Sequence, residues 1–232
     1  FLGALILALL GALGIYNASP ESGDYSFFLR HLLWISVGVG VCLLVMSIDY
    51  HFLADHAFQL YALSALLLIG TLFFGTEING SRSWLTFGGM SFQPSELAKL
   101  TVILLLAQYL GELNDNYLER RHFLILASIT LFPMILITIQ GDLGTALMYL
   151  PILMGMVVVV GVRKQLLVGV LVVSLCVAPL SWFFLQDYQK QRILVTFDPG
   201  LDPQGIGYQS RQSQIAIGSG GLFGKGLGQG LQ

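Results

Sequence analysis

The chain has 232 residues, 55% of them hydrophobic and only 10% charged, with a mean hydropathy of +0.77. Soluble domains carry about 25% charged residues, so an ordinary water-soluble domain is excluded. A formal net charge of −2 offers no basic footprint for a nucleic acid. The two cysteines, Cys42 and Cys176, sit inside apolar runs and read as packing residues. No cysteine or histidine spacing of a metal site occurs, so no metal site built by the protein is expected.

A membrane-crossing helix needs roughly 20 mostly apolar residues. Apolar runs recur at 1–16, 27–48, 57–75, 94–110, 122–139, 143–161 and 165–185, without the polar face of a soluble helix. The expected fold is all-α: a polytopic transmembrane helical bundle of about seven spans. Residues 1–185 form its membrane domain, and 186–232 read as a long extracellular glycine-rich loop. Phe1 already lies in an apolar run and Gln232 in a glycine-rich one, so the sequence reads as a piece of a longer chain. Residues 1–20 lack the basic start and cleavage site of a signal peptide. The basic clusters at 119–122 and 162–164 fall on one side if the spans alternate, and that side reads as cytoplasmic. Residues 17–26, 76–93, 140–142 and everything after about 186 then face outward. Six further cations (Arg30, Arg82, Lys190, Arg192, Arg211 and Lys225) break this bias, which suits an anionic ligand such as a diphosphate.

Polar residues interrupt the spans at few places. In "NGSRSWLTFGGMSFQPSELAKL", Pro94 suits a first helical position, with Gln93 as the cap. Glu96 and Lys99, three apart, share a face and can pair. That pair reads either as a helix salt bridge or as a functional group, the usual meaning of ions in a membrane helix. Arg82 with Trp84 reads as an interfacial anchor or as a ligand group. In "QGDLGTA", Asp142 reads as an N-cap or as a site residue. Pro133 and Pro179 fall within spans, where kinks can open a cavity. The glycine-rich end fails the P-loop pattern: Ser219 stands where glycine is needed, and Gly226 where serine or threonine is. Asp198 and Asp202 each precede proline and can start a turn. Gly205 and Gly207 favour Asp202 as the ligand-facing one, since glycine lets backbone approach closely. Asn17 and Asn79 begin glycosylation-type triplets, which matter only in a eukaryotic secretory host.

These segments, in order, resemble the SEDS family, the RodA, FtsW and SpoVE proteins of bacterial wall synthesis. Its "G-x-x-R-W" and "x-Q-P-[SA]-E-[LF]-x-K" resemble Gly80–Trp84, with Ser83 inserted, and Gln93–Lys99. Its "QPDLGTA" resembles Gln140–Ala146, with Gly141 for the proline. Its "DPxGxGYQ…QSxIAIGSGGxxGKGxxxG" resembles Asp202–Gly230, and "QSQIAIGSGGLFGKG" is nearer the RodA branch. The chain would then be roughly the first two-thirds of a protein of about ten spans.

The resemblance implies a peptidoglycan glycosyltransferase that polymerises lipid II at the outer face of the bacterial inner membrane, during cell elongation. It implies a class B penicillin-binding protein as partner, with other elongation-complex membrane proteins nearby. It marks Asp202 as the catalytic aspartate, and Arg82, Glu96, Lys99, Asp142, Gln209 and Lys225 as substrate-binding. The chemistry suits them. A carboxylate takes a proton from a sugar hydroxyl, and fixed cations stabilise a leaving diphosphate. No cofactor is built into the protein, and Mg or Mn would be held with the substrate diphosphate. Two other classes stay open: a lipid II flippase, and a non-catalytic scaffold for a penicillin-binding protein. A flippase needs ionisable groups at several depths, whereas here they gather at the outer ends of spans.

Overall fold

The computed structural model describes residues 1–18, 25–78, 80–87, 90–113, 119–161, 168, 187–202, 205–221, 224 and 226. Asn79, Cys176, Pro179, the basic segment 162–164, Lys225 and, apart from Val168, the run 165–185 lie outside the described residues. The chain packs as two units: Ile48–Val172, and Phe1–Ser47 with Val173–Gln232.

The unit Ile48–Val172 holds a short helix α3 (Tyr50–Asp55), α4 (Ala57–Phe74), strands β1 (Thr76–Ile78), β2 (Ser81–Phe87) and β3 (Met90–Phe92), and helices α5 (Pro94–Gly111), α6 (Arg120–Ile139), α7 (Leu143–Leu147) and α8 (Tyr149–Val160). Helix α5 touches α3, α4, α6, α8 and β2. It accordingly buries one broad face: Ala98, Thr101, Val102, Leu106 and Leu110. Leu68, Leu126, Ile137, Tyr149 and Val157 complete this core. Helices apolar all round keep their remaining apolar residues outward, as lipid permits; Phe73 and Ile135 are exposed in this way. One buried polar pair joins two helices: Ser64 Oγ of α4 and Thr101 Oγ1 of α5 lie 2.7 Å apart.

Prolines shape two of the spans. Pro133 in α6 has no N–H for the carbonyl of Ile129, four residues back. The Tyr61 hydroxyl of α4 donates to that carbonyl instead, at 2.9 Å. The expected span 143–161 is divided at Met148 into α7 and α8. Pro151, third in α8, cannot bond the Leu147 carbonyl, and that is the physical reason for the break. Helix α6 ends in a Schellman turn. Gly141, at φ +84°, donates to Thr138 O (3.0 Å), and Asp142 donates to Ile137 O (3.2 Å).

The small antiparallel sheet β1–β2–β3 was not expected in an all-α bundle. Its register pairs Ile78 with Ser81 and Phe87 with Met90. Each pairing leaves two residues between partners, the spacing of a tight hairpin.

The other unit begins with α1 (Leu2–Ala18) and α2 (Ser26–Met46). Tyr16 of α1 stacks on Tyr25 at 5.7 Å and meets Phe28 edge-on at 5.4 Å. Later come α9 (Asp187–Phe197), a 3₁₀ turn Pro199–Leu201, and α10 (Ile206–Gly220). The segment read as a loop therefore contains two helices. Within α10, Gln, Arg, Ala and Ile are adequate helix formers, and its glycines, Gly207, Gly218 and Gly220, lie in the first and last turns. Gly221, at φ +55°, follows the last turn.

Among the described residues, four segments are long and apolar enough to cross a membrane: α2, α4, α6, and Leu143–Val160 across α7 and α8. Helix α1 is a shorter apolar helix, and α5 carries Glu96 and Lys99 near its start. The chain is a multi-pass helical membrane protein, in keeping with the expected fold class.

Candidate functional site

The start of α5 concentrates the polar groups. Pro94 occupies the first helical position, as expected. Gln93 stands at the cap position, but its side chain does not cap the helix. Its Nε2 donates instead to Asp142 Oδ2, at 2.9 Å. Asp142 is itself the N-cap of α7. Its Oδ1 accepts the Thr145 N–H (3.1 Å) and its Oδ2 the Thr145 hydroxyl (2.9 Å). One carboxylate thus links the starts of two helices.

Lys99 Nζ and Glu96 Oε1 are 2.8 Å apart. The pair expected from their spacing is present, but it is not buried: the Glu96 side chain is 58% exposed and that of Lys99 22%. The pair contributes at most about 1 kcal/mol at such exposure. The Lys99 ammonium near a helix N-terminus, where backbone N–H groups are unsatisfied, favours an anion.

Arg82 lies in β2, with its main-chain N–H donated to the Gln140 carbonyl at 2.9 Å. Arg82 and Trp84, two apart in the strand, point to the same face. The Arg82 Nε sits 3.6 Å from Glu77 Oε2, both side chains being largely exposed. Such a pair is weak, so a stronger anion can take Arg82 from it. Glu77 is a residue that the sequence reading missed. Its signal was Asn79-Gly80, a strong hairpin dipeptide that folds 77 back towards 82.

Asp202 belongs to the other unit. Its Oδ1 accepts the Gly205 N–H at 2.9 Å, and its carbonyl accepts the Gly207 N–H at 3.1 Å, at the start of α10. A Cβ on Gly205 would overlap the Asp202 carboxylate, which would then have to turn away. The close approach that glycine allows is therefore to Asp202 itself. Asp198 caps the 3₁₀ turn, accepting the Gly200 N–H at 3.0 Å, and is exposed. That is the turn role read from its sequence. Gln209 lies in α10, with its side chain outside the described residues, as is all of Lys225. Among the described residues no three His, Cys, Asp or Glu side chains gather as metal ligands.

The model of the family FtsW/RodA/SpoVE, described as cell cycle protein, matches residues 1–232. The chain is 36% identical to the peptidoglycan glycosyltransferase MrdB of Escherichia coli K12, over 98% of this chain and 62% of that protein. It is 35% identical to stage V sporulation protein E of Bacillus subtilis, over 98% of this chain and 64% of that protein. A chain from a solved structure described as "Structural coordination of polymerization and crosslinking by a peptidoglycan synthase complex" superimposes with a TM-score of 0.75. That chain is 35% identical, with 94% of this chain and 66% of that one covered. The chain thus spans a little under two-thirds of the length of these two curated relatives. It belongs to the FtsW/RodA/SpoVE family of cell cycle proteins.

Proposed function

We propose that the protein is a peptidoglycan glycosyltransferase that polymerises lipid II at the outer face of the bacterial inner membrane, in the elongation branch of wall synthesis. Asp202 takes the proton of the acceptor sugar hydroxyl as its oxygen attacks the anomeric carbon of the donor. The bond from that carbon to the diphosphate breaks, and the diphosphate leaves with the electron pair. Negative charge grows on it, and positioned cations lower that barrier. Arg82 and Lys99 are the cations, with Arg82 able to bind two phosphate oxygens at once. Glu96 holds the Lys99 ammonium in place, and Asp142 with Gln93 sets the entrance of α5. Gln209 and Lys225 complete the substrate-binding set. Mg or Mn carried by the substrate diphosphate would share its charge. A class B penicillin-binding protein is the partner that crosslinks the product, alongside other elongation-complex membrane proteins.

The observation that carries this reading is the fixed polar cluster at the start of α5, in a chain matching a peptidoglycan glycosyltransferase over 98% of its length. The ends of the described spans hold the ionisable residues, while their middles hold hydroxyl pairs such as Ser64–Thr101. That arrangement disfavours the flippase reading. The test is purified full-length protein with labelled lipid II: glycan chains on a gel support the reading, and none under turnover conditions for the relatives contradicts it.

A further inference from the structure

Gln140 ends α6 and is 4% exposed. Its carbonyl accepts the Arg82 N–H of β2 at 2.9 Å. Its Nε2 donates to the Leu68 carbonyl of α4, also at 2.9 Å. Two residues on, Asp142 holds Gln93 and Thr145. A carbonyl can only accept, so the amide nitrogen must face Leu68 and Oε1 must turn away. Among the described residues that buried Oε1 has no hydrogen-bond partner.

The orphaned oxygen discriminates between roles. A buried acceptor left unsatisfied costs at least as much as one neutral hydrogen bond returns. For stability alone, an apolar side chain of similar volume would serve Gln140 as well. What it could not do is tie the α6 corner to α4. The strand that carries Arg82 is bonded to that corner, and β2 also packs against α4 and α5.

We propose that Gln140 is a positioning residue that acts through Arg82: it locks the α6 corner to α4 and so fixes where β2 presents the guanidinium. This rests on the glycosyltransferase reading, in which Arg82 faces the donor diphosphate. The residue touches no reacting atom and is not itself catalytic.

The test is a double-mutant cycle in the full-length protein, with Gln140→Met and Arg82→Lys made singly and together, and with kcat and KM measured on labelled lipid II. Gln140→Met should keep the wild-type unfolding temperature, lower kcat about tenfold and leave KM within about twofold, the pattern of a lost transition-state contact. In the Arg82→Lys background it should cost less than about twofold more, because residues acting through one another are not additive. An equal loss in both backgrounds overturns the proposal, and so does an unchanged kcat in the single variant. A Gln140→Met protein that merely unfolds gives that equal loss. Wild-type protein that makes no polymer overturns the glycosyltransferase reading, and this proposal with it; normal wild-type polymer with an additive cycle overturns this proposal alone.

Discussion

The Tyr61 hydroxyl bonds the one carbonyl, that of Ile129, which Pro133 strips of its helical donor. A proline in a membrane helix is tolerated when a neighbour satisfies the freed group. Here that neighbour comes from α4, so a local sequence cost becomes a contact between helices. Removing the hydroxyl with Tyr61→Phe should leave a carbonyl without a donor and cost roughly 1–3 kcal/mol. Pro133→Ala restores the N–H, so in the Tyr61→Phe background it should recover most of that loss. Thermal unfolding of the four proteins in detergent reads the cycle. Strictly additive effects would mean that the two residues are not partners.

The Glu96–Lys99 pair separates folding from function. With Glu96 58% exposed, losing the pair should cost no more than about 1 kcal/mol. Lys99→Ala and Glu96→Ala should therefore insert and fold, yet lose polymerisation. Lys99→Met combined with Glu96→Gln should fold and remain inactive. Full activity in that double variant would show that the pair serves the helix alone.

Gly205→Ala tests how the Asp202 carboxylate is held. The added Cβ would occupy the carboxylate's place, so the side chain must rotate away from the Gly205 N–H. Because that carboxylate is the free end of a side chain, stability should change by less than about 1 kcal/mol, the worth of one neutral hydrogen bond. Polymerisation should fall at least about tenfold, a fraction of what losing a general base costs. A Gly205→Ala protein with normal turnover would show that the hydrogen bond does not set the active geometry.

Topology can be read independently. Cysteines placed at 80 or 204 should react with a membrane-impermeant thiol reagent in intact cells, and cysteines at 119–122 should not. The reverse pattern would put the α5 entrance and Asp202 on the cytoplasmic side, away from an external substrate.

The helices of the membrane part were legible because lipid imposes length and apolarity on each span, whatever its neighbours. Pro94 at the start of α5 and Asp142 at the start of α7 follow from the same local logic, since helix ends must satisfy their own N–H groups. The sheet was missed although its signals stood in the sequence. Asn79-Gly80 and Gly88-Gly89 separate short alternating runs, the pattern of two hairpins, but the stretch was read as the approach to a span. Helix α10 was hidden by its glycine content, which counts against a helix only when the glycines lie inside it. Pro151 was passed over in an otherwise continuous apolar run. The Gln93–Asp142 and Gln140–Leu68 bonds span 49 and 72 residues, and no local pattern announces a partner at that distance. The apolar surroundings of Glu96 in the sequence do not show that the helix turns it outward.

Whether Asp202 is the base of a polymerising glycosyltransferase is read by glycan chain formation from lipid II by full-length Asp202→Asn and Asp198→Asn at matched expression. Asp202→Asn keeps the size and one acceptor oxygen of the side chain and removes only the base. Asp202→Asn should fold and insert in the membrane while its rate falls at least about 10²-fold, beside an Asp198→Asn protein with only a mild loss. Near-normal polymer from Asp202→Asn would contradict that assignment, and an inactive Asp198→Asn beside it would move the role to the turn four residues upstream.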